Sequence, residues 1–347
     1  MNTTLARSYV RLAVGLVLAV GGTLSATADT SLQSQPAPMR PYTINANLMD
    51  LQRAGSAMFA VGDWGVIQKS EDGGDTWHQK PSPVSVMLNK ADFVGDQLGW
   101  IVGHDATILH SRDGGETWVV QHRDPEWGKP LYDLAMLDAR RGFAVGANGR
   151  MMKTTDGGTR WEEFEPDVAI NGTNFYGVDL LPDGTLFLVG EKGILGRSLD
   201  AGETWQQLYS PYSGSFFGML PFGDHGVYLF GLRGTVYALG DVRSVEVLDP
   251  YEWDEFSLET VTDNATLAAS GFRYHENGLK ESLFGGDTLG GNDVLLVGVN
   301  GAVVRNEGDR MSRVSTDLEF SLADALVTDK GIITVGLGGI TRVPFRK

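Results

Sequence analysis

Apolar residues in this chain come in short runs cut by turns. Leu131-Tyr-Asp-Leu-Ala-Met-Leu137 leads into Asp138-Ala-Arg-Arg-Gly142. Phe143-Ala-Val then runs into Gly146-Ala-Asn-Gly149, Arg150-Met-Met-Lys-Thr154 into an Asp-Gly-Gly turn, and Trp161-Glu-Glu-Phe164 closes the unit. Short apolar stretches bounded by Gly, Asn and Asp predict β-strands. Asn-Gly between two such stretches predicts a hairpin, because both turn positions favour positive φ. No long helical period is present outside the N-terminal segment. The pattern predicts four strands per unit and an all-β chain.

The unit repeats. A Gly turn recurs as Val61-Gly-Asp-Trp-Gly65, Val102-Gly-His-Asp-Ala106, Val145-Gly-Ala-Asn-Gly149, Val189-Gly-Glu-Lys-Gly193, Phe230-Gly-Leu-Arg-Gly234, Val297-Gly-Val-Asn-Gly301 and Val335-Gly-Leu-Gly-Gly339. The steps lie between 38 and 44 residues, with one of 67. That period, with strand content, is the size of one propeller blade. Seven copies predict a seven-bladed β-propeller of four-stranded blades. The long step reads as one blade plus an insertion within 241–290. The last unit ends soon after its third strand, and Pro41-Tyr-Thr-Ile-Asn45 precedes the first unit. We therefore expect the N-terminal strand to supply the missing outer strand and close the ring, with Pro36, Pro38 and Pro41 suited to an edge or linker.

A second motif follows the first four turns: Ser70-Glu-Asp-Gly-Gly-Asp-Thr-Trp77, Ser111-Arg-Asp-Gly-Gly-Glu-Thr-Trp118, Thr154-Thr-Asp-Gly-Gly-Thr-Arg-Trp161 and Ser198-Leu-Asp-Ala-Gly-Glu-Thr-Trp205. Asp72, Asp113, Asp156 and Asp200 are expected to accept amide bonds within a turn, as Asx motifs do. Trp77, Trp118, Trp161 and Trp205 are expected to bury their rings between blades. The spacing lacks the alternating oxygen ligands of a calcium loop, so the box reads as structural.

Three of these boxes match Ser-x-Asp-x-Gly-x-Thr-Trp, the Asp-box or bacterial neuraminidase repeat; the third carries Thr154 and Arg160 at the Ser and Thr places. Boxes at this period, paired with the Gly turns, resemble the photosystem II stability/assembly factor propellers. The resemblance is strong over about residues 45–210 and weak beyond. It implies a non-enzymatic exported propeller that helps a membrane protein complex assemble. It also extends to relatives in bacteria without a photosystem, some of them accessories of envelope transporters, and this chain is expected to be of that kind. The family resemblance implies an arginine-rich surface patch, which this chain lacks.

Composition adds a location and a charge. Arg7 and Arg11 precede the apolar run Leu12–Val20, and Ala26-Thr-Ala28 gives a small-x-small site. Residues 1–28 are predicted to be a signal peptide cleaved near Ala28, leaving a periplasmic protein with no membrane span, a linker at 29–41 and the propeller at 42–347. Lys and Arg number 28 against 44 Asp and Glu, for a formal charge of −16. No basic face for nucleic acid is visible. An acidic surface favours basic or neutral partners. The insertion is itself acidic, with Asp241, Glu246, Asp249, Glu252, Asp254, Glu255, Glu259 and Asp263.

Enzymatic readings find little support. Retaining sialidases share the box but need an arginine triad, and neither the triad nor an Arg-Ile-Pro opening is present. A glycoside hydrolase using paired carboxylates, or a carbohydrate-binding propeller, remains the alternative. No nucleophile elbow, phosphate loop or zinc helix motif occurs. His104 and His110 lack a third ligand at convincing spacing, so no metal and no cofactor is expected.

Function is then expected on the turn face, around the channel mouth, opposite the boxes. The candidate partner-binding residues are Asp63, Trp64, His104, Asp105, Trp127, Tyr132, Asn148, Tyr176, Phe217 and Arg233. Trp64 has no framework role when set against His104 and Ala147, and exposed aromatics are typical interface anchors. Phe175, Tyr212 and Phe216 are expected in the same loops, from the last strand of one blade to the first of the next, as Tyr132, Tyr176 and Phe217, and for all the Tyr and Phe at strand starts core packing weighs ahead of binding.

Overall fold

Seven antiparallel sheets follow one another along the chain. The structure, a computed structural model, describes residues 35–168, 172–250, 259–307 and 310–344. The predicted signal peptide lies outside them. Blade 1 comprises Leu48–Ala54, Ala57–Gly62, Ile67–Ser70 and His78–Lys80, here called strands a to d from the channel outward. Blade 2 comprises Leu88–Val94, Leu98–Gly103, Ile108–Ser111 and Val119–His122; blade 3, Leu131–Met136, Gly142–Gly146, Met151–Thr154 and Glu162–Phe164. Blade 4 comprises Phe175–Leu180, Leu186–Gly190, Leu195–Ser198 and Gln206–Leu208; blade 5, Phe216–Phe222, Gly226–Gly231, Val236–Leu239 and Phe272–Tyr274. Blade 6 comprises Leu283–Gly290, Asp293–Gly298, Val303–Glu307 and Arg310–Arg313; blade 7, Leu322–Thr328, Gly331–Gly336 and Thr341–Val343.

Each joint between neighbouring blades holds its own apolar cluster. The box tryptophans seal four of them. Trp118 packs with Phe59 of blade 1, Trp161 with Trp100 of blade 2, and Trp205 with Phe143 of blade 3. Trp77 fits against the closing joint with blade 7. Alternating inward residues thus fill a core distributed around the ring.

The boxes themselves are hydrogen-bonded turns. In the second box Asp113 accepts the Thr117 amide at 2.9 Å and its hydroxyl at 2.6 Å, while Ser111 donates to Asp113 at 2.8 Å and accepts from the Gly115 amide at 2.8 Å. The first and fourth boxes repeat these bonds. These donors hold the carboxyls of Asp113 and Asp200 down to about 2, the Thr hydroxyl being the largest cause in each.

The insertion lies between strands c and d of blade 5. It sends Val247–Leu248 back as a fifth strand on blade 4, paired with Gln207 and Leu208, and adds the short helix Asn264–Leu267.

Among the described residues the N-terminal closing strand is not found. Thr43–Asn45 forms a 3-10 turn, and blade 7 has three strands. Pro36, Pro38 and Pro41 have no amide to give a ladder. The segment instead follows the edge of blade 1: Gln79 donates to the Pro38 carbonyl (3.0 Å) and accepts the Arg40 amide (3.0 Å). It touches blade 7 through the Ile44 carbonyl, which accepts the Ile340 amide at 3.0 Å. The ring closes by other means. Asp324 of blade 7 accepts the Leu51 amide of blade 1 at 3.2 Å. Arg342 donates to the Gly73 carbonyl at 2.9 Å and to Asp75 at 3.1 Å, and Lys330 also pairs with Asp75.

A candidate binding site at the channel mouth

The Gly turns form one rim. In all seven blades the residue after the first Gly donates its amide to the carbonyl just before strand a, as Asp63 does to Asn47 and His104 to Met87. The first Gly is needed for this approach: a Cβ at Gly298 would sit 1.9 Å from the Ser282 carbonyl oxygen. The contact fixes where each strand a begins.

Each strand a then bulges at its second residue. The register skips Met49, Asn89, Tyr132, Tyr176, Phe217, Phe284 and Ala323, one per blade. A bulge re-aims the extra side chain, and here all seven line the channel cavity. Blades 3 to 6 carry aromatics there. Tyr132 and Tyr176 have centroids 5.3 Å apart, Tyr176 and Phe217 5.3 Å, and Phe217 and Phe284 5.4 Å. They form a continuous arc around more than half the mouth. Met49, Met87, Asn89, His104 and Leu337 face it across a groove of about 410 Å³.

Beneath the arc the wall turns polar. Asp50, Lys90, Asp92, Asp133, Asp179, Asp287 and Asp324 line a cavity of about 300 Å³. Several of these carboxylates bond the next blade's strand a: Asp50 accepts the Ala91 amide (2.9 Å), Asp92 that of Met136 (2.8 Å), Asp133 that of Val178 (3.1 Å) and Asp287 that of Val327 (2.8 Å). Lys90 reaches Asp50 at 2.7 Å. Burial works against its ammonium, but the charges of Asp50, Asp324 and Asp133 outweigh it and raise its pKa. The same burial pushes Asp133 up to about 7 and Asp179 to about 6, and raises Asp92 and Asp324.

The expected site residues divide. Tyr132, Tyr176, Phe217 and His104 meet at the mouth. Asp63, Trp64, Asn148 and Arg233 stand on the outer rim, and Asn148 and Arg233 are exposed. Setting Trp64 against His104 and Ala147 is one residue out. Its structural counterparts are the other left-handed positions, Asp105, Asn148, Lys192, Arg233 and Asn300. Trp64 is 68% exposed at φ 59°, beside Tyr42 and Pro38. Asp105 is tied to Arg123 at 2.7 Å, and Trp127 lies under the Arg150 guanidinium at 4.3 Å, so neither joins the arc. Phe175, Phe216 and Tyr212 are buried core. His110 is buried against Trp100, with centroids 4.4 Å apart. Sequence reasoning missed Phe284 and the channel carboxylates. Phe284 follows the inner-strand leucine Leu283 as Tyr132 follows Leu131, but the insertion obscured that register.

These features define an Asp-box β-propeller with seven blades and an aromatic channel mouth. The chain belongs to the Photosynthesis system II assembly factor YCF48 family, whose model matches residues 33–131 and 121–238. It is 33% identical to the Photosystem II assembly lipoprotein Ycf48 of Synechococcus sp. (strain CC9902), over 49% of this chain and 52% of that protein. It is 22% identical to the chloroplastic Photosystem II stability/assembly factor HCF136 of Arabidopsis thaliana, over 87% of this chain and 76% of that one. The chain thus spans about half the length of the cyanobacterial relative. Among solved structures, YCF48 bound to a D1 peptide superposes with a TM-score of 0.60 at 18% identity, covering 88% of this chain and 94% of the other. YCF48 from Cyanidioschyzon merolae gives 0.62 at 14%, covering 88% and 97%. Both share the fold.

Proposed function

We propose that this protein is an exported, non-enzymatic scaffold that binds a segment of a membrane protein at its channel mouth and assists assembly of the complex to which that protein belongs. The observation that carries the reading is the arc Tyr132–Tyr176–Phe217–Phe284. Four adjacent blades place an aromatic side chain at the bulged, channel-lining position of the inner strand, and aromatic anchors dominate binding surfaces. Relatives named as photosystem II assembly factors, and one solved with a D1 peptide, support a membrane-protein partner. Among the described residues no helix is long and apolar enough to cross a membrane. The 347 residues contain no cysteine, so a thioether-linked lipid has no attachment point in them.

The test is affinity capture from detergent-solubilised membranes with wild type and a Tyr176→Ala/Phe217→Ala variant. Wild type recovers a membrane protein, and the variant loses it while keeping its melting temperature within a few degrees. Recovery of no membrane protein, together with glycan hydrolysis by the wild type, would overturn the proposal in favour of a glycoside hydrolase.

A further inference from the structure

We infer that the mouth accepts a partner segment by one basic side chain, a lysine or arginine flanked by apolar residues, whose cationic head passes the aromatic arc into the channel. The inference rests on the binding site just proposed and names what that site takes. Three properties of the cavity carry it. It is roofed by four aromatic rings whose faces attract cations. Its wall holds six aspartates, offset by Lys90 and by Arg53 paired to Asp287 at 3.2 Å, so its charge complements a cation and opposes an anion. Its volume of about 300 Å³ lies at the low end of ligand pockets, suited to one side chain. The flanking residues of the segment would lie on the groove between the arc and Met49, Met87 and Leu337, which is mostly apolar.

Asp179 is the wall carboxylate least committed to holding the blades together. Asp50, Asp92, Asp133, Asp287 and Asp324 each accept an amide from a neighbouring blade. Asp179 accepts only the amide of Leu180, next to it, among the described residues. Its charge is thus not committed to the ring, and removing it disturbs no joint.

The experiment is calorimetric titration at pH 8 with three synthetic nonapeptides of identical apolar flanks and a central arginine, citrulline or glutamate. Citrulline keeps the shape of arginine and loses its charge. Wild type binds the arginine peptide at least tenfold more tightly than the citrulline peptide, and the glutamate peptide most weakly. Asp179→Asn reduces the arginine preference several-fold and leaves citrulline binding unchanged. Phe217→Ala weakens all three. Equal binding of arginine and citrulline, or an undiminished preference in Asp179→Asn, would overturn the inference. The capture experiment separates the two proposals. Arc-dependent capture without a charge preference leaves the scaffold standing and removes the cation pocket. An arginine preference without membrane-protein capture does the reverse.

Discussion

Replacing Asp179 by Asn should make the protein more stable above neutral pH and leave it unchanged in acid. Asp179 sits on the inner strand of blade 4, facing the channel with Asp92, Asp133, Asp50, Asp287, Asp324 and Lys90. Desolvation is the main cause of its raised pKa, the charge of Asp92 adds to it, and the Leu180 amide and Lys90 oppose it. Its pKa rises from 3.8 to about 6. Two units correspond to about 3 kcal/mol at most. Asp179 is only partly buried, so an effect of about 1–2 kcal/mol is expected after solvent screening. The sign follows from the direction of the shift. An acid whose folded pKa is raised binds its proton more tightly in the native state. That contribution is fully present below pH 4 and is lost as pH rises through 6. Asn cannot ionise and escapes the loss. Urea unfolding followed by tryptophan fluorescence at pH 4, 6 and 8 should therefore show a variant advantage growing from near zero to about 1–2 kcal/mol. A constant difference across the series, or a less stable variant at pH 8, would refute the buried-carboxylate account.

Other parts of the fold give separate expectations. Trp205→Ala should cost about 3–5 kcal/mol, because the ring is 3% exposed in the joint between blades 3 and 4. Trp77→Ala, at the half-buried closing joint, should cost clearly less, and equal urea midpoints would contradict the joint-sealing role. Trp64→Asn should raise stability by up to about 1 kcal/mol, since a bulky side chain in the left-handed region is strained and Asn tolerates it; a loss of that size would mean the indole is held by packing. Asp324→Ala should speed hydrogen exchange at the Leu51 and Gly286 amides, which its carboxylate accepts at 3.2 and 2.8 Å, and unchanged protection would show that the ring closes without it. Thr117→Val should raise the Asp113 pKa from about 2, read by carbon NMR, because the Thr117 hydroxyl is its largest cause.

Much of the architecture was legible because turns are chemically expensive to make and therefore leave marks. The Gly turns and Asp-boxes announce themselves, since close backbone approach and left-handed positions restrict the residues that fit. In blade 3 the expected strands agree with the observed ones to within a residue or two. Closure was misread because a short extended-looking segment carries no sign of its partner. Pro36, Pro38 and Pro41 were compatible with an edge strand on paper, yet their missing amides leave the segment to be held by the Gln79 side chain. The site was half legible. Tyr132, Tyr176 and Phe217 stood out as aromatics at strand starts. The bulge that turns them inward is a matter of pairing register, which no single strand records. The channel aspartates come from six different strand positions, and only the placement of the blades around a common axis brings them together.

The seven bulges have a consequence for how such a protein changes partners. At each one, the residue seen by a ligand is separated by a single step from the residue that packs the blade: Met49 beside Leu48, Tyr132 beside Leu131, Ala323 beside Leu322. Recognition and folding are thus written in different letters of the same strand. The mouth behaves as a seven-character address that evolution or an engineer rewrites one blade at a time. Aromatics introduced at Met49 and Ala323 would lengthen the arc without removing an inter-blade bond, whereas one at Asn89 would also remove its 2.7 Å bond to the Leu131 carbonyl of blade 3.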